Sequence, residues 1–428
     1  MAKKFIAYSM IVFIVSFLGC YLFIKYTDRS PGKGSSTAEP GISATPEPSK
    51  QETPKPTATP DPIKLQISQM SLEEKIGQMM IVGLDGYTLN DAAKKMIETY
   101  RVGGFIVIGD NVQNANQLLT LLNALKKANT KGKIPLFLSV DEEGGRVSRM
   151  PGELKRLPAN KVIGQANNKD FSYKIGSVIA QEIKSFGFNM DFAPVLDINS
   201  NPKNPVIGDR SFSAKADIVS ALGVQTMKGI QSENIIPVVK HFPGHGDTTV
   251  DSHVGLPSVS HDLSRLKSFE LIPFAEAVKN NADAVMIAHI LVQSIDAKNP
   301  ASLSKAVITD VLRKDLNFTG VVITDDMTMG AIQKNYSIAE AAVQSVNAGS
   351  DIILVCHGNE NATAAMDRIR NAVEKGTISQ GRIDESVYRV LKLKQKYGLT
   401  DETRSSVDIK GINNKIGELL KSYLGSSK

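Results

Sequence analysis

The chain has 428 residues, of which 42% are hydrophobic and 22% are charged, a balance that is ordinary for soluble globular proteins. Its formal net charge is only +6, it has no tryptophan, and its lysines and arginines are scattered rather than clustered with aromatic residues. These features argue against a nucleic-acid groove. The two cysteines, Cys20 and Cys356, do not provide a disulfide framework.

The first predicted element is a membrane segment. Residues 5–24 form an uncharged apolar run that is long enough to span a bilayer as a helix. Lys3 and Lys4 precede the run, which orients the N-terminus toward the cytoplasm. An alternative is that the sequence Phe-Leu-Gly-Cys, ending at Cys20, is a bacterial lipoprotein processing site and Cys20 becomes lipidated. Both alternatives assign residues 1–27 to a tether at the outer face of the bacterial cell membrane.

Residues 28–63 are predicted to be a disordered linker. Eight of the nineteen prolines lie between Pro31 and Pro62, among serines, threonines and charged residues. Such a segment cannot bury enough apolar surface to offset the entropy that is lost on ordering. We therefore expect an extended stalk between the membrane and the folded body.

After the linker, short apolar runs alternate with longer stretches of helical period, a pattern that is typical of βα units around a parallel sheet. The eight apolar runs are residues 78–83, 104–108, 136–140, 189–195, 237–241, 284–288, 320–324 and 351–355. Eight such strands predict a single (β/α)8 TIM-type barrel over residues 64–400, with its site at the C-terminal ends of the strands. A doubly wound open sheet is the rival, but no Gly-x-Gly-x-x-Gly follows the first run. Residues 401–428 are expected to form a C-terminal tail or helix.

Two helix starts are predicted from their spacing. Ser71 with Glu74, and Ser337 with Glu340, have the spacing of a capping box. In that motif a hydroxyl group and a carboxylate satisfy unpaired amide groups of the first helical turn. We expect both pairs to begin helices of the barrel.

Ionisable or reactive residues stand where most of the predicted strands end. They are Asp141, Asp197, Lys240, His241, His289, Asp325, Asp326, Cys356 and His357. A single such residue is more often a loop or capping group, but its recurrence on strand after strand favours a functional site at this end of the barrel. Asp325 is the candidate nucleophile, because a strand would hold it at a fixed distance from a substrate. Asp326 is expected to cap the next helix instead, because neighbouring strand residues point in opposite directions.

The stretch KHFPGHGDTTVDSH, residues 240–253, contains three of the six histidines. Asp251 and His253 are two positions apart, so in an extended loop they face the same side. The Asp251 carboxylate can then bond one imidazole nitrogen and leave the other nitrogen to exchange a proton with a substrate. This spacing predicts an acid–base pair.

Lys240 and His241 open the same stretch at a strand end, where their nitrogen atoms can bond substrate hydroxyl groups. Residues 242–250, with a glycine on each side of His245, are expected to form a mobile connection in which His245 bonds loop carbonyl groups. A metal site is the rival interpretation, since His241 and His245 have a ligand-like spacing. It is weakened because barrel metallohydrolases typically place a His-x-His on the first strand, and residues 78–83 contain no histidine.

Several long motifs resemble those of glycoside hydrolase family 3. In chain order they are VDEEGGRVSRM, DFAPVLDINSNPKNPVIGDRSF, KHFPGHGDTTVDSHVGLP and VVITDDMTMGAI, within a similarity over about residues 68–398. Within the family, the chain is similar to the NagZ-type β-N-acetylglucosaminidases, which are also called β-hexosaminidases. The resemblance implies a barrel fold, in agreement with the strand count.

The resemblance also implies roles for eight residues. Asp325 is implied to be the nucleophile that forms a covalent glycosyl-enzyme, and His253 the acid/base that Asp251 supports. The residues implied to bind the hydroxyl and acetamido groups of N-acetylglucosamine are Asp141, Arg149, Arg210, Lys240 and His241. Glu142 departs from the family pattern, in which glutamine is common, without touching the implied chemistry.

The predicted function is that of a retaining exo-β-N-acetylglucosaminidase acting on peptidoglycan-derived muropeptides outside the cytoplasm. No metal or organic cofactor is implied. The expected partners are the carbohydrate substrate and, through the N-terminus, the membrane; nucleic acid is not expected, and the chain is expected to be a monomer. Two alternatives stay open. One is transfer of the sugar to phosphate by the same site, and the other is a non-catalytic cell-wall-binding protein, against which the intact set of Asp251, His253 and Asp325 speaks.

Overall fold

Eight strands form one sheet in the computed structural model, which describes residues 61–425. They are β1 (Met80–Val82), β2 (Gly104–Val107), β3 (Phe137–Val140), β4 (Met190–Asp191), β5 (Ile236–Phe242), β7 (Ala284–Ile287), β9 (Val321–Thr324) and β10 (Ile353–Val355). Two further strands, β6 (Ser258–Val259) and β8 (Leu291–Val292), pair with each other outside this sheet. Each of the eight predicted runs contains or overlaps one strand of the sheet, so the strand prediction is confirmed.

The sheet curves round until its two edge strands meet. Its order is β10-β1-β2-β3-β4-β5-β7-β9, and every neighbouring pair is parallel. β9 reaches β10 through a parallel bridge between Ile323 and Ile352, and Thr324 N donates to Ile352 O at 3.1 Å. The architecture is therefore a nearly closed eight-stranded parallel barrel with surrounding helices, as predicted, and not an open doubly wound sheet.

At least one helix separates each pair of consecutive barrel strands. The α-helices are Pro62–Ser68, Leu72–Gln78, Asp91–Glu98, Ala115–Ala128, Asn160–Ala166, Lys169–Phe186, Ala216–Ser232, Leu263–Ser268, Ile272–Lys279, Gly330–Gln333, Ile338–Ala348, Asn359–Glu374, Gln380–Lys396 and Ile409–Leu424. A π-helix spans Ala306–Asp315 between β8 and β9. The helix Ile409–Leu424 packs against Lys169–Phe186, where the ring centroids of Phe171 and Tyr423 are 4.8 Å apart.

The two predicted capping boxes have different outcomes. Glu74 N donates to Ser71 Oγ at 3.2 Å and Ser71 N donates to Glu74 Oε2 at 2.9 Å, so the first box is confirmed. Ser337 also precedes a helix, but its side chain bonds no backbone group there. The second box is therefore wrong, because Glu340 accepts a hydrogen bond from Arg368 at 2.7 Å instead of turning back to the helix start.

The inside of the barrel is filled by apolar side chains. Successive residues of a strand face opposite sides, so alternate residues point inward. The inward-facing cluster includes Ile81, Ile106, Phe137, Met190, Phe192, Ile236, Val238, Ala284, Met286, Val321, Ile323, Ile352 and Leu354. Because the interior is packed, a ligand cannot occupy the middle of the barrel, and the strand ends are where the barrel itself can offer a site.

The predicted N-terminal membrane segment, including Cys20, and the linker up to residue 60 lie outside the described residues. Within residues 61–425, every helix is too short or too polar to cross a bilayer. These two observations leave the predicted tether as an expectation from the sequence.

Candidate active site

A cavity of about 470 Å³ opens at the C-terminal ends of the barrel strands. Phe192, Met286 and Leu354, from the apolar interior of the barrel, contribute to its floor. All eight residues singled out from the sequence line it: Asp141, Arg149, Arg210, Lys240, His241, Asp251, His253 and Asp325. A second cavity of about 530 Å³, between the helices Lys169–Phe186 and Ile409–Leu424, contains none of them. The fold therefore brings the predicted residues together at one place.

Lys240 is held by two carboxylates. Its side chain is only 2% exposed, and its Nζ contacts Asp141 and, at 2.7 Å, Glu143 Oε1. Glu143 also accepts hydrogen bonds from Arg210, from Nε at 2.9 Å and from Nη2 at 2.8 Å. Burial alone would raise the pKa of Glu143, but Arg210 and Lys240 hold it well below its usual value. Glu143 thus fixes two cations in the cavity wall, so a ligand meets their donors in a defined arrangement.

His241 is oriented by Asp197, a strand-end residue for which the sequence predicted no specific role. Asp197 Oδ2 lies 2.6 Å from His241 Nδ1, and Asp197 Oδ1 accepts a hydrogen bond from His245 N at 2.6 Å. Burial alone would raise the pKa of Asp197, but His241, its hydrogen bonds and His245 bring it below its usual value. Because Nδ1 contacts this carboxylate, His241 Nε2 is the ring nitrogen left toward the cavity, 3.4 Å from Arg210 Nη2.

Arg149 brings an unsatisfied donor to the cavity wall. Its Nε is buried and has no hydrogen-bond partner within residues 61–425. Its backbone N donates to Glu142 Oε2 at 3.0 Å.

Burial raises the pKa of Glu142 to about 7, so near neutrality a large share of these carboxyl groups is uncharged, as a glutamine is. This protonation gives a physical reason why glutamate is compatible with a position where the resembling family commonly has glutamine.

Asp325 lies at the end of β9, where the strand reaches the cavity. Its backbone N donates to Ile287 O at 2.9 Å, which fixes it against β7, and its Oδ1 accepts a hydrogen bond from Asp326 N at 2.9 Å. Burial alone would raise the pKa of Asp325, but His241 and His289 help to bring it below its usual value. The carboxylate is therefore ionised at neutral pH, the state in which it can attack an electrophilic carbon.

Asp326 does not cap the next helix, so that prediction is wrong. Its Oδ1 accepts hydrogen bonds from Thr328 N and Cys356 N, each at 2.9 Å. The helix Gly330–Gln333 begins after Met329 without a side-chain cap. Contact with the end of β10 occupies the Asp326 carboxylate, which ties the turn after β9 to the neighbouring strand.

Asp251 and His253 form the expected pair. Asp251 Oδ1 accepts a hydrogen bond from His253 N at 2.9 Å and lies 2.8 Å from His253 Nδ1. Burial alone would raise the pKa of Asp251, but its hydrogen bonds with His253 bring it below its usual value. The His253 side chain is 66% exposed, so its Nε2 side is accessible to a ligand in the cavity.

The segment between His241 and Asp251 is held in place by hydrogen bonds around His245 and Thr248. His245 is buried, and its Nδ1 and Nε2 lie 2.7 Å from Thr248 Oγ1 and 3.0 Å from Ser252 Oγ. Asn204 Nδ2 donates to the carbonyl oxygens of His245 at 2.8 Å and Thr248 at 3.0 Å. Burial lowers the pKa of His245 to about 4, so the ring is neutral at pH 7. His245 is structural, as expected, but it bonds hydroxyl groups rather than carbonyls. Residues 242–246 and 248 are buried, which does not match the mobile connection that the glycines suggested.

The metal interpretation rests on His241 and His245, of which His241 Nδ1 and both nitrogens of His245 contact protein groups. His241 and His245 have ring centroids 6.0 Å apart, and their nitrogens contact Asp197, Thr248 and Ser252. Over the described part of the chain, no three His, Cys, Asp or Glu side chains are grouped as metal ligands. This arrangement gives the metal interpretation of the histidine spacing no support.

Glu143 and Asp197 are the residues whose roles the sequence did not reveal. Both are buried carboxylates that contact predicted binding residues. Glu143 follows β3 and Asp197 follows β4, so their positions after strands were a signal. The local sequence does not distinguish a carboxylate that faces a ligand from one that holds a neighbouring side chain.

Known proteins are similar to this chain in sequence, and solved structures are similar to it in fold. Residues 71–393 match the glycosyl hydrolase family 3 N-terminal domain. The "Beta-hexosaminidase A" of Pseudoalteromonas piscicida is 36% identical over 333 residues, which cover 72% of this chain and little more than half, 56%, of that relative. The "Beta-hexosaminidase" of Neisseria meningitidis serogroup B is 35% identical over 285 residues, which cover 65% of this chain and 78% of the relative.

Solved structures extend the similarity to the fold. The family 3 β-N-acetylglucosaminidase of Paenibacillus sp. str. FPU-7 has a TM-score of 0.78 at 40% identity, covering 83% of this chain and 69% of that one. A family 3 glycosyl hydrolase of Mycobacterium smegmatis str. MC2 155 has a TM-score of 0.70 at 31% identity, covering 76% of this chain and 98% of that one. The matched residues 71–393 include every barrel strand and all eight predicted cavity residues. Since sequence and fold agree over this whole region, the chain belongs to glycosyl hydrolase family 3.

Proposed function

We propose that this chain is a retaining exo-β-N-acetylglucosaminidase that removes terminal N-acetylglucosamine from peptidoglycan-derived fragments. The observation that carries the proposal is one cavity lined both by Asp325, fixed at a strand end, and by the Asp251–His253 pair on a neighbouring loop. Retaining glycosidases generally need a nucleophile and an acid/base at the scissile bond. The names of the relatives, β-hexosaminidase and β-N-acetylglucosaminidase, support the substrate class.

In the first step, the Asp325 carboxylate attacks the anomeric carbon of the terminal sugar. The bond from this carbon to the leaving oxygen breaks as the new ester bond forms, and protonated His253 donates its Nε2 proton to that oxygen. Asp251, 2.8 Å from His253 Nδ1, fixes the ring and stabilises the imidazolium. The lowered pKa of Asp325 keeps the attacking group ionised.

In the second step, neutral His253 accepts a proton from water while the water oxygen attacks the anomeric carbon. The ester to Asp325 breaks, and the carboxylate is restored. The carbon has been inverted twice, so N-acetylglucosamine leaves with the anomeric configuration of the substrate. His253 has regained its proton, and the site is ready for another cycle.

The charged network supports recognition of the sugar. Lys240 and Arg210 present donors whose positions Glu143 fixes, and the partly exposed Asp141 adds an acceptor. Donors held in place before binding lose little freedom when the ligand arrives. In the complex, the acetamido oxygen would supply the acceptor that Arg149 Nε lacks.

The deciding experiment is hydrolysis of 4-nitrophenyl N-acetyl-β-glucosaminide by the purified chain and its Asp325→Asn variant. The wild type is expected to release 4-nitrophenol, and the variant to lose at least on the order of 10³-fold in kcat/KM, because an amide is a poor nucleophile. Asp310→Asn alters an exposed carboxylate paired with Lys314 and is the matched control, with full activity expected. An inactive wild type would contradict the proposed function, and a fully active Asp325 variant would contradict the nucleophile assignment.

Two measurements separate this mechanism from its alternatives. Mass spectrometry of enzyme quenched during turnover is expected to find one N-acetylhexosamine on the peptide that contains Asp325. Hydrolysis of the 4-nitrophenyl glycoside in the presence of added inorganic phosphate is expected to yield free N-acetylglucosamine at an unchanged rate. Formation of a sugar phosphate would instead support transfer to phosphate by this site.

We also propose that residues 1–27 tether the enzyme to the outer face of the bacterial membrane, as an uncleaved anchor or through a lipid on Cys20. The apolar run of residues 5–24 and the preceding lysines support this placement. Fractionation of cells that produce the full chain is expected to recover it with the membranes. Recovery of the full-length chain in the soluble fraction would overturn the tether.

A further inference from the structure

Two segments meet at the mouth of the barrel. One is the acid–base loop, residues 244–255, which carries the Asp251–His253 pair. The other, here called the seat, is residues 330–334, which begin with the short helix Gly330–Gln333. The seat starts five positions after Asp325, so it belongs to the same strand-to-helix connection as the proposed nucleophile.

Hydrogen bonds join the seat to the backbone on both sides of His253. Ala331 N donates to Ser252 O at 3.0 Å, directly before the histidine. Lys334 Nζ donates to Val254 O at 2.6 Å, directly after it. Groups outside the loop therefore hold the backbone around His253, in addition to the bonds within the loop.

Gly330 allows the two segments to approach closely. A Cβ at this position would lie 2.5 Å from His253 O and 3.1 Å from Val254 O, and both of these are backbone atoms. Gly330 does not have a positive φ, so alanine suits its helical backbone and is the better helix former. The contact with the acid–base loop, rather than the helix, is what disfavours a side chain here.

The side chain of His253 cannot hold the loop in place by itself. The ring is 66% exposed, and Asp251, to which its Nδ1 bonds, is on the same loop. His245 braces the loop internally through Thr248 and Ser252. These bonds shape the loop, whereas the seat fixes its tip against the barrel.

We infer that the seat positions His253 for proton transfer, with Gly330 and Lys334 as positioning residues. The inference rests on the proposed function, because it assigns His253 the acid/base role. The seat and Asp325 share one connection after β9, so the separation of nucleophile and acid is set over a short piece of chain. Small errors in the placement of a proton donor are costly to catalysis, which makes such a support valuable.

Hydrogen–deuterium exchange of the whole protein tests the seat without reference to catalysis. Gly330→Ala is expected to displace the acid–base loop, and Lys334→Met to remove one of its two supports. In both variants, peptides from residues 244–255 and the Ala331 amide are expected to exchange about 10-fold faster than in the wild type. The matched control is Gly381→Ala, in the first turn of another helix, where the nearest atom to a new Cβ is Ser379 Oγ at 4.0 Å. Exchange in this control is expected to match the wild type, and equal exchange in Gly330→Ala would overturn the seat.

The role of the seat in proton transfer is tested by comparing kcat/KM on two substrates whose leaving groups differ in their need for a proton. 4-Nitrophenol leaves with little need for a proton, whereas the sugar leaving group of N,N′-diacetylchitobiose needs one. Gly330→Ala and Lys334→Met are expected to lose about 10-fold or more of kcat/KM on the disaccharide but less than about 3-fold on the 4-nitrophenyl glycoside. His253→Ala should show the same pattern more strongly, and Lys334→Arg, which keeps a donor, should recover most of the loss. Equal losses on both substrates would indicate a merely structural role and overturn the inference.

The two measurements distinguish failure of the seat from failure of the proposed function. A wild type that cleaves neither substrate would refute the proposed function, and with it the role of the seat in proton transfer. An active wild type whose exchange and leaving-group dependence are unchanged by Gly330→Ala would refute the seat alone. Faster exchange together with a selective loss on the disaccharide would support both.

Discussion

The two ends of the barrel both bury charged side chains, but they leave them in different states. At the mouth, Glu143 pairs with both Lys240 and Arg210, and the two cations still line a cavity. Asp141 remains 22% exposed beside them, and Arg149 Nε has no partner in the part of the chain that the structure describes. The mouth therefore keeps hydrogen-bonding capacity that a ligand can use.

At the base, where the strands begin, the same kinds of group are saturated. Asp351 is fully buried, and its Oδ2 accepts hydrogen bonds from Arg313 Nη2 at 2.5 Å and Val322 N at 3.0 Å. Its Oδ1 accepts from Ser386 Oγ at 2.7 Å and Arg389 Nη1 at 3.0 Å. Four donors occupy one carboxylate, which leaves it no capacity for a ligand.

Lys394 shows the same saturation for a buried cation at the base. Its Nζ donates to Gln78 Oε1 at 2.8 Å, Gly103 O at 2.8 Å and Pro135 O at 2.7 Å, which uses all three protons of an ammonium group. Burial lowers the pKa of Lys394 to about 7, and the charge of Asp401 acts in the opposite direction. The difference between the ends teaches that burial of a charge does not by itself mark a functional group. What marks the mouth is hydrogen-bonding capacity that the protein leaves unused.

The largest expected effect comes from Glu143→Gln at the mouth. It removes the counter-charge that Lys240 and Arg210 share and leaves only Asp141 beside Lys240. We therefore expect kcat/KM to fall on the order of 10³-fold and the free energy of unfolding by about 3–5 kcal/mol. Steady-state kinetics and urea unfolding measure the two losses. Retained activity would break the comparison, because the mouth network would then be structural like that of the base.

Asp351→Asn, at the base, should lower stability alone. Arg313, Arg382 and Arg389 lose a buried anion, and the expected loss is about 3 kcal/mol in the free energy of unfolding. Well below the unfolding temperature, kcat/KM should stay within about twofold of the wild type, because Asp351 does not line the cavity. A large fall in kcat/KM of the folded variant would contradict the separation of the two ends.

Lys396→Gln should have the smallest effect and sharpens the comparison within the base. Lys396 is 52% exposed and pairs with Asp283. Asp283 also accepts hydrogen bonds from Tyr397 Oη at 2.5 Å and Gln231 Nε2 at 2.9 Å, which remain in the variant. Urea unfolding should show a loss of about 0.5 kcal/mol or less, as for other exposed pairs. A loss similar to that of Asp351→Asn would show that charge at the base matters regardless of burial.

The barrel was predictable because its strands are buried on both faces and therefore read as apolar runs between helical stretches. The meeting of Asp141, Lys240 and Asp325 was predictable for the same reason, since parallel strands deliver their C-terminal ends to one side. The Asp251–His253 contact depends only on local spacing. All of these features follow from the chain's periodicity or from short range.

The features that were missed depend on distant neighbours. Glu143 bonds Arg210 across 67 positions, and Asp197 contacts His241 across 44, so neither carboxylate carries a local sign of its partner. Glu340 has the spacing of a cap but bonds Arg368, 28 positions away, because that guanidinium lies within reach on the next helix. Tertiary contacts that compete for a side chain override local motifs.

The small pairing of β6 with β8 has a consequence for how such an enzyme diversifies. β5 ends at Phe242 and β6 begins at Ser258, and the bond from Leu291 N to Pro257 O, at 2.9 Å, ties down the end of the intervening chain. Residues 243–257 are thus a segment whose two ends are both held by strands. Exchanging it between relatives would change the segment that carries His253, the proposed proton donor, while the strands that hold Asp325 stay intact. New leaving-group preferences could arise in this way by replacing one surface segment, without redesign of the barrel.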